Sequence, residues 1–359
     1  MKVANPYIFD IKPYVPGKPI EEVKRQLKLK SVIKLASNEN SYGPSPKVLG
    51  AMTKAIKDVN RYPDGGCFQL GQALAKHLKV NQNQLIFGNG SDEIIVLAVK
   101  AFVGRGDEVM IAKPSFLVYE IASRLAGAKI VQVPLKDFRY DLASMKAKLS
   151  KHTKIVFIGN PDNPAGTYIN IQEAEDFMKA VSKDTLVFFD EAYFEYVVAK
   201  DYPDTLKLMR KYPNLMTTRT FSKSYGLAGL RVGYGVADPK LIDILNRLRE
   251  PFNVNSLAQA AAVAALLDQG YYRRILNLTY QQREYIYRSL EGVGLKYQTS
   301  FTNFILVQVK NASQVAGALL KKGVIVRDMT VWGLSDYIRV SIGTASENRR
   351  FIKTLGEVI

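Results

Sequence analysis

The chain has 359 residues, 47% of them hydrophobic, which is enough to bury a large core and more naturally divides into two domains than one. Its 50 Lys+Arg against 33 Asp+Glu give a net charge of +17, but the basic residues fall in separate pairs such as Lys24-Arg25, Arg273-Arg274 and Lys321-Lys322, which argues against nucleic acid as the primary partner. A lone cysteine, Cys67, excludes an internal disulfide framework. His77 and His152 lack metal-ligand spacing, and the absence of a signal-peptide core or a bilayer-length apolar run makes the cytoplasm the expected location, with no membrane partner.

Residues 1–30 read as an arm, broken by Pro6, Pro13, Pro16 and Pro19, with a basic amphipathic helix near 20–28. A short strand at Ile33-Lys34-Leu35-Ala36 leads through a turn-dense loop into a helix at about 46–58, and a second helix ends near Leu78. Strands and helices then alternate, which predicts a mainly parallel sheet covered by helices. The strands are expected at 85–88, 108–112, 129–133, 155–158, 186–189, 215–218 and 232–236, and the helices at 91–102, 116–126, 141–149 and 171–181. An Ala-rich helix at 256–268 precedes a long one at 270–290, after which strands at 304–309, 324–327 and 337–342 and helices near 313–322 and 346–357 read as a smaller α+β domain. The boundaries expected are 1–30 for the arm, 31–45 for a strand and loop joining the small domain, 46–268 for the large domain and 269–359 for the small one.

In an open parallel sheet ligands bind beyond the carboxyl ends of the strands, so the residues just after each strand carry the information. Gly88-Asn89-Gly90-Ser91-Asp92-Glu93 opens a helix with free backbone N–H groups and a hydroxyl, an arrangement suited to a phosphate. Asn160-Pro161-Asp162-Asn163-Pro164-Ala165-Gly166-Thr167 is a stiff turn that either presents Asn163 as a donor or is only a proline-rigidified connection. Phe188-Phe189-Asp190-Glu191-Ala192-Tyr193 ends an apolar strand in a carboxylate, costly to bury unless paired, and a protonated pyridine nitrogen is such a partner. Ser222-Lys223 followed by Arg231 offers an amine for a Schiff base, with Ser222 and Arg231 placed to hold the phosphate of pyridoxal phosphate.

With Lys34-Leu35-Ala36-Ser37-Asn38-Glu39-Asn40 and Arg339-Val340-Ser341-Ile342-Gly343-Thr344, this set resembles the fold-type-I pyridoxal-phosphate aminotransferases, and among them the histidinol-phosphate aminotransferase family, from the arm to the last helix. The resemblance implies Lys223 as the Schiff-base lysine, Asp190 on the pyridine nitrogen, and Asn163 and Tyr193 on the ring hydroxyl oxygen. It implies a phosphate held by Gly90, Ser91, Asp92, Ser222 and Arg231, with Tyr62 reaching it from the partner of a homodimer, and Phe116 stacked on the ring. Arg339 and Arg327 are implied for the substrate's anionic groups, with Tyr14 and Asn38 contributing. Ser41 departs from the family's usual Pro, and Asp162 and Ala165 from its usual Asn and Thr, which bears on the turn that aims Asn163. The reaction implied is amino transfer from L-histidinol phosphate to 2-oxoglutarate, giving imidazole-acetol phosphate and glutamate, in histidine biosynthesis. An aromatic amino acid aminotransferase is the nearest alternative, because relatives share the cofactor motifs. A threonine-phosphate decarboxylase and a basic nucleic-acid binder are the more remote ones.

Overall fold

The computed structural model describes residues 4–11 and 17–359. Strand β1 (Ile33–Lys34) leaves the arm, and seven strands follow: β2 (Leu85–Gly88), β3 (Glu108–Lys113), β4 (Lys129–Pro134), β5 (Thr153–Gly159), β6 (Leu186–Asp190), β7 (Leu215–Thr220) and β8 (Gly233–Val236). These seven form one sheet in the order β2-β8-β7-β6-β5-β3-β4. Along β5 and β6, Val156, Ile158, Val187 and Phe189 pack into one core, while Ile155, Phe157, Leu186 and Phe188 pack into another on the opposite face. A strand buried on both faces reads as a continuous apolar run, which is why Leu-Val-Phe-Phe can end in Asp190 without alternating polar residues.

Four neighbouring pairs in this sheet are parallel, but β8 runs antiparallel to both β7 and β2. The connection from Thr220 to Gly233 contains only a 3-10 turn, Ala228–Leu230, and a parallel return needs a crossover of a dozen or more residues, usually a helix. The chain therefore folds straight back, and the Lys223 loop hangs from the end where β7 and β8 meet.

After the helix Gln269–Gly292 come β9 (Tyr297–Gln298), β10 (Phe304–Gln308), β11 (Val324–Ile325), β12 (Arg327–Asp328) and β13 (Tyr337–Ser341). Four of them form a second sheet in the order β12-β13-β10-β9, whose own core includes Ile305, Val307, Ile338, Val340 and Phe351. The segment expected as one strand at 324–327 is split at Val326: β11 pairs with β1, whereas β12 pairs with β13. Helices Thr205–Lys211 and Pro239–Asn246, absent from the sequence reading, complete the layers on the large sheet. Each is a two-turn helix capped by an Asp side chain, Asp204 and Asp238 respectively.

Candidate active site

A cleft of about 540 Å³ lies beyond the carboxyl ends of β5, β6 and β7, and its walls include Asn38, Phe116, Asn163, Asp190, Lys223 and Arg339. Ser91, Asp92, Tyr193, Ser222 and Arg231 also line it, so most of the residues singled out by the sequence come together at one place.

Asp190 sits at the floor, 6% exposed. The Tyr119 hydroxyl donates to its Oδ2 at 2.7 Å and the Ala192 N–H to its Oδ1 at 3.2 Å. Burial pushes the carboxyl up to about 6, and the Tyr119 and Ala192 hydrogen bonds and the Lys223 charge oppose that shift. Tyr119 was not among the sequence candidates. It is fixed by stacking on Phe157, centroids 4.6 Å apart and planes within 1°, and by an edge contact with Phe116 at 5.6 Å. The signal that would have found it is the i, i+3 spacing from Phe116 at the start of the helix Leu117–Leu125, which puts both rings on one side of the first turn.

Tyr193 lies three residues beyond Asp190, and its hydroxyl accepts hydrogen bonds from Asn38 Nδ2 at 2.8 Å and Asn163 Nδ2 at 3.5 Å. Burial drives this phenol up to about 12, so it stays protonated at neutral pH. Arg339, on β13, donates to Asn163 Oδ1 and, at 3.3 Å, to the Ala36 carbonyl, while its guanidinium faces the Phe304 ring at 5.2 Å. Asn38 is itself held by Ser341 Oγ, which accepts its backbone N–H at 2.8 Å. Three distant segments, at 38, 163 and 339, thus meet around one phenol. Lys223 Nζ reaches the Ser37 carbonyl at 3.4 Å and lies 5.7 Å from the Tyr193 ring centroid.

The opposite end of the cleft is a cradle for an anion. Gly90 has φ of +87° and caps the helix Ser91–Phe102, with no side chain satisfying the first N–H groups. A Cβ at Gly90 would come within 2.3 Å of Arg231 and one at Gly233 within 2.5 Å of the Ser91 nitrogen, so only glycine lets the turn approach this closely. Arg231 pairs with Asp92 at 2.8 Å. The Ser222 hydroxyl is buried and has no hydrogen-bond partner among the described residues. An unsatisfied buried hydroxyl beside free helix N–H groups and an arginine is the donor set that a phosphate monoester completes.

Two predicted residues lie elsewhere. Arg327 does not line this cleft: it borders an adjoining chamber of about 730 Å³, with its guanidinium 4.9 Å from the Trp332 ring, and the two spaces share Phe116 and Ile121 as walls. Tyr62 is 83% exposed and stacks on Phe252 at 4.8 Å, away from the cleft of its own chain. Tyr14 falls outside the described residues.

With this geometry in place, the comparisons define the class. Residues 30–355 match the family model for aminotransferase class I and II, and the chain belongs to that family. It is 48% identical over 354 residues to the histidinol-phosphate aminotransferase of Moorella thermoacetica, spanning 98% of this chain and 92% of the relative, and 45% identical to histidinol-phosphate aminotransferase 2 of Carboxydothermus hydrogenoformans, spanning 98% and 97%. Among solved structures, histidinol-phosphate aminotransferase from Sinorhizobium meliloti in complex with pyridoxal-5'-phosphate superimposes with a TM-score of 0.92 at 31% identity, covering 100% of this chain and 98% of that one. The fold is that of the fold-type-I pyridoxal-phosphate enzymes, as the sequence reading expected.

Proposed function

We propose that the chain transfers the amino group of L-histidinol phosphate to 2-oxoglutarate, using pyridoxal 5'-phosphate. The observation that carries this reading is the convergence, in one cleft, of Lys223, the Asp190–Tyr119 pair and the unpartnered Ser222 hydroxyl at the glycine cradle. Full-length relatives that bear the histidinol-phosphate aminotransferase name support the substrate.

Pyridoxal phosphate, when bound, supplies a conjugated ring that takes up the electron pair left as the substrate's Cα–H bond breaks. The protein's part is then specific. Asp190 holds a proton on the ring nitrogen by charge pairing, and Tyr119 holds Asp190. Asn163 and Tyr193 orient the ring hydroxyl, and Phe116 covers a ring face. Gly90, Ser91, Asp92, Ser222 and Arg231 form the phosphate's socket. Lys223 Nζ, which would anchor the cofactor in the resting enzyme, would take the Cα proton as base and give it up as acid to the carbon that carries the cofactor's aldehyde. Arg339 offers a guanidinium fork to the substrate's phosphate or the oxo-acid's carboxylate. Arg327 serves the outer end of the substrate from the adjoining chamber.

The reading includes a cytoplasmic homodimer with a large unit at 46–268 and a small unit at 269–359. Large apolar side chains stand exposed on the 49–68 segment, namely Leu49, Ile56, Val59, Tyr62 and Phe68, and a patch of this kind is suited to a second copy of the chain. Mixing Tyr62→Phe with Lys223→Ala subunits tests site sharing, and partial recovery of activity in the mixed dimers is the expected result.

The deciding experiment titrates the cofactor-loaded protein with histidinol phosphate and, separately, with phenylalanine, following the cofactor's visible absorption. Saturation at much lower histidinol phosphate is expected. Preference for phenylalanine would assign an aromatic aminotransferase instead, and a Lys223→Ala protein that keeps the wild-type absorption would overturn the role given to Lys223.

A further inference from the structure

Asn163 is aimed by a turn whose hub is a buried acid, Asp162. The side chain is 1% exposed, and its oxygens are met by a phenol and a backbone N–H. Oδ2 accepts the Ala165 N–H at 3.0 Å. Oδ1 accepts the Tyr140 hydroxyl at 3.3 Å, and that hydroxyl in turn accepts the Gly159 N–H at 2.7 Å, tying the turn back to the end of β5. The backbone of the same residue closes the loop: its N–H donates to the Thr167 carbonyl at 2.7 Å and its carbonyl accepts from Gly166 at 2.9 Å. Gly166, with φ of +81°, is pressed against Ser300, and its carbonyl accepts the Phe301 N–H at 2.8 Å, so the turn is wedged between the two sheets' loops.

We propose that Asp162 is a positioning residue for transamination: its carboxyl, clamped between the Tyr140 hydroxyl and the Ala165 N–H, holds Asn163 where its amide meets Tyr193, Arg339 and the cofactor's ring hydroxyl. This inference rests on the functional reading above, which puts the ring in the cleft. Asp162 is the residue immediately before Asn163, so the clamp fixes the backbone from which the Asn163 side chain projects. The ionisable groups that face Asp162 are Tyr140 from the loop after β4, Asp190 from the end of β6, and Tyr119 and Tyr193 around it. Burial, with Asp190's charge adding to it, pushes the Asp162 carboxyl up to about 7 against the opposing hydrogen bonds, so the clamp is acceptor-only above neutrality and carries a proton below it. Asparagine keeps an oxygen for Ala165, whereas alanine removes both acceptors.

The test compares wild type, Asp162→Asn, Asp162→Ala and Tyr140→Phe, all loaded with pyridoxal phosphate. Three quantities are read: the pH midpoint of the bound cofactor's visible absorption, kcat and KM for histidinol phosphate, and the melting temperature. Loss of the clamp weakens the hydrogen bond from Asn163 to the ring oxygen. In Asp162→Ala the midpoint therefore rises by at least about 0.5 unit and kcat falls about tenfold, the worth of one such bond. Asp162→Asn recovers most of both, and Tyr140→Phe falls between. If Asp162→Ala fails to fold, the Asn and Phe variants still decide, because the inference requires Tyr140→Phe to move the midpoint further than Asp162→Asn. Variants that melt earlier but keep the wild-type midpoint and kcat make Asp162 a structural residue only and overturn the inference. Wild type without any cofactor absorption overturns the functional reading itself, and with it the inference.

Discussion

The two ends of the cleft are built on opposite principles. At the ring end, Asp190 and Tyr193 are 6% and 4% exposed, and each polar atom is met by a hydrogen-bond donor held in place by the fold. At the phosphate end, the Arg231 and Asp92 side chains are 44% and 45% exposed, and the closest approach is made by backbone at Gly90 and Ser91. The difference matches what the proposed function asks each end to bind. A single ring nitrogen needs one charge in a low-dielectric place, where its interaction is strong and its loss is not replaced by water. A phosphate carries several oxygens, so the donors are many, partly solvated and individually weak.

Substitutions at the two ends should therefore differ in size. The largest effect is expected for Asp190→Asn, which removes the charge facing the ring nitrogen: single-turnover rates should fall by about 10²- to 10⁴-fold with folding intact, and a loss under tenfold would contradict the buried-charge argument. Gly90→Ala comes next, because the added Cβ meets Arg231 at 2.3 Å and Asp92 at 2.2 Å; cofactor affinity by equilibrium dialysis should drop by about 10²-fold, and a Cβ at φ of +87° should also lower the melting temperature of the cofactor-free protein. Tyr119→Phe removes the donor that holds the Asp190 carboxyl down from a still higher value. The folded-state pKa of Asp190 is already raised, so in the cofactor-free protein this group's own contribution to stability is fully present below about pH 4 and is lost as pH climbs through about 6. The variant should extend that decline upward, losing more stability relative to wild type at pH 8 than at pH 4, as thermal melts across pH would register. The smallest effect belongs to Arg231→Gln: a roughly fivefold loss of cofactor affinity that shrinks further in high salt, since the side chain is open to solvent. Equal effects from Asp190→Asn and Arg231→Gln would erase the contrast.

Much of this arrangement is readable along the chain because strand-end position is a local property. The apolar run to Asp190, the glycines before Ser91 and the Pro-stiffened turn at Asn163 are each encoded within ten residues, and so the order of the groups around the cleft follows from the order of the strands. What is not local is harder to read. Tyr119 reaches Asp190 across 71 positions and Arg339 reaches Asn163 across 176, and neither spacing has a period to reveal it. Direction is similarly hidden: β8 reverses because the Lys223 loop holds a 3-10 turn and no crossover helix, which strand composition does not show. Arg327 and Arg339 are register neighbours on the antiparallel strands β12 and β13, yet only Arg339 lines the cleft while Arg327 borders the adjoining chamber, a division that their sequence positions do not show.

The adjoining chambers give the enzyme a modular layout. Phe116 and Ile121 are the walls common to both, while Arg327, Thr330 and Trp332 border only the outer one. On the proposed function, changes in the outer chamber reshape which amino compound is accepted without dismantling the parts that hold the carrier. That separation offers lineages, and engineers, a place to rewrite selectivity one residue at a time. It also marks Phe116 as the position where such freedom ends, since a change there reaches both compartments.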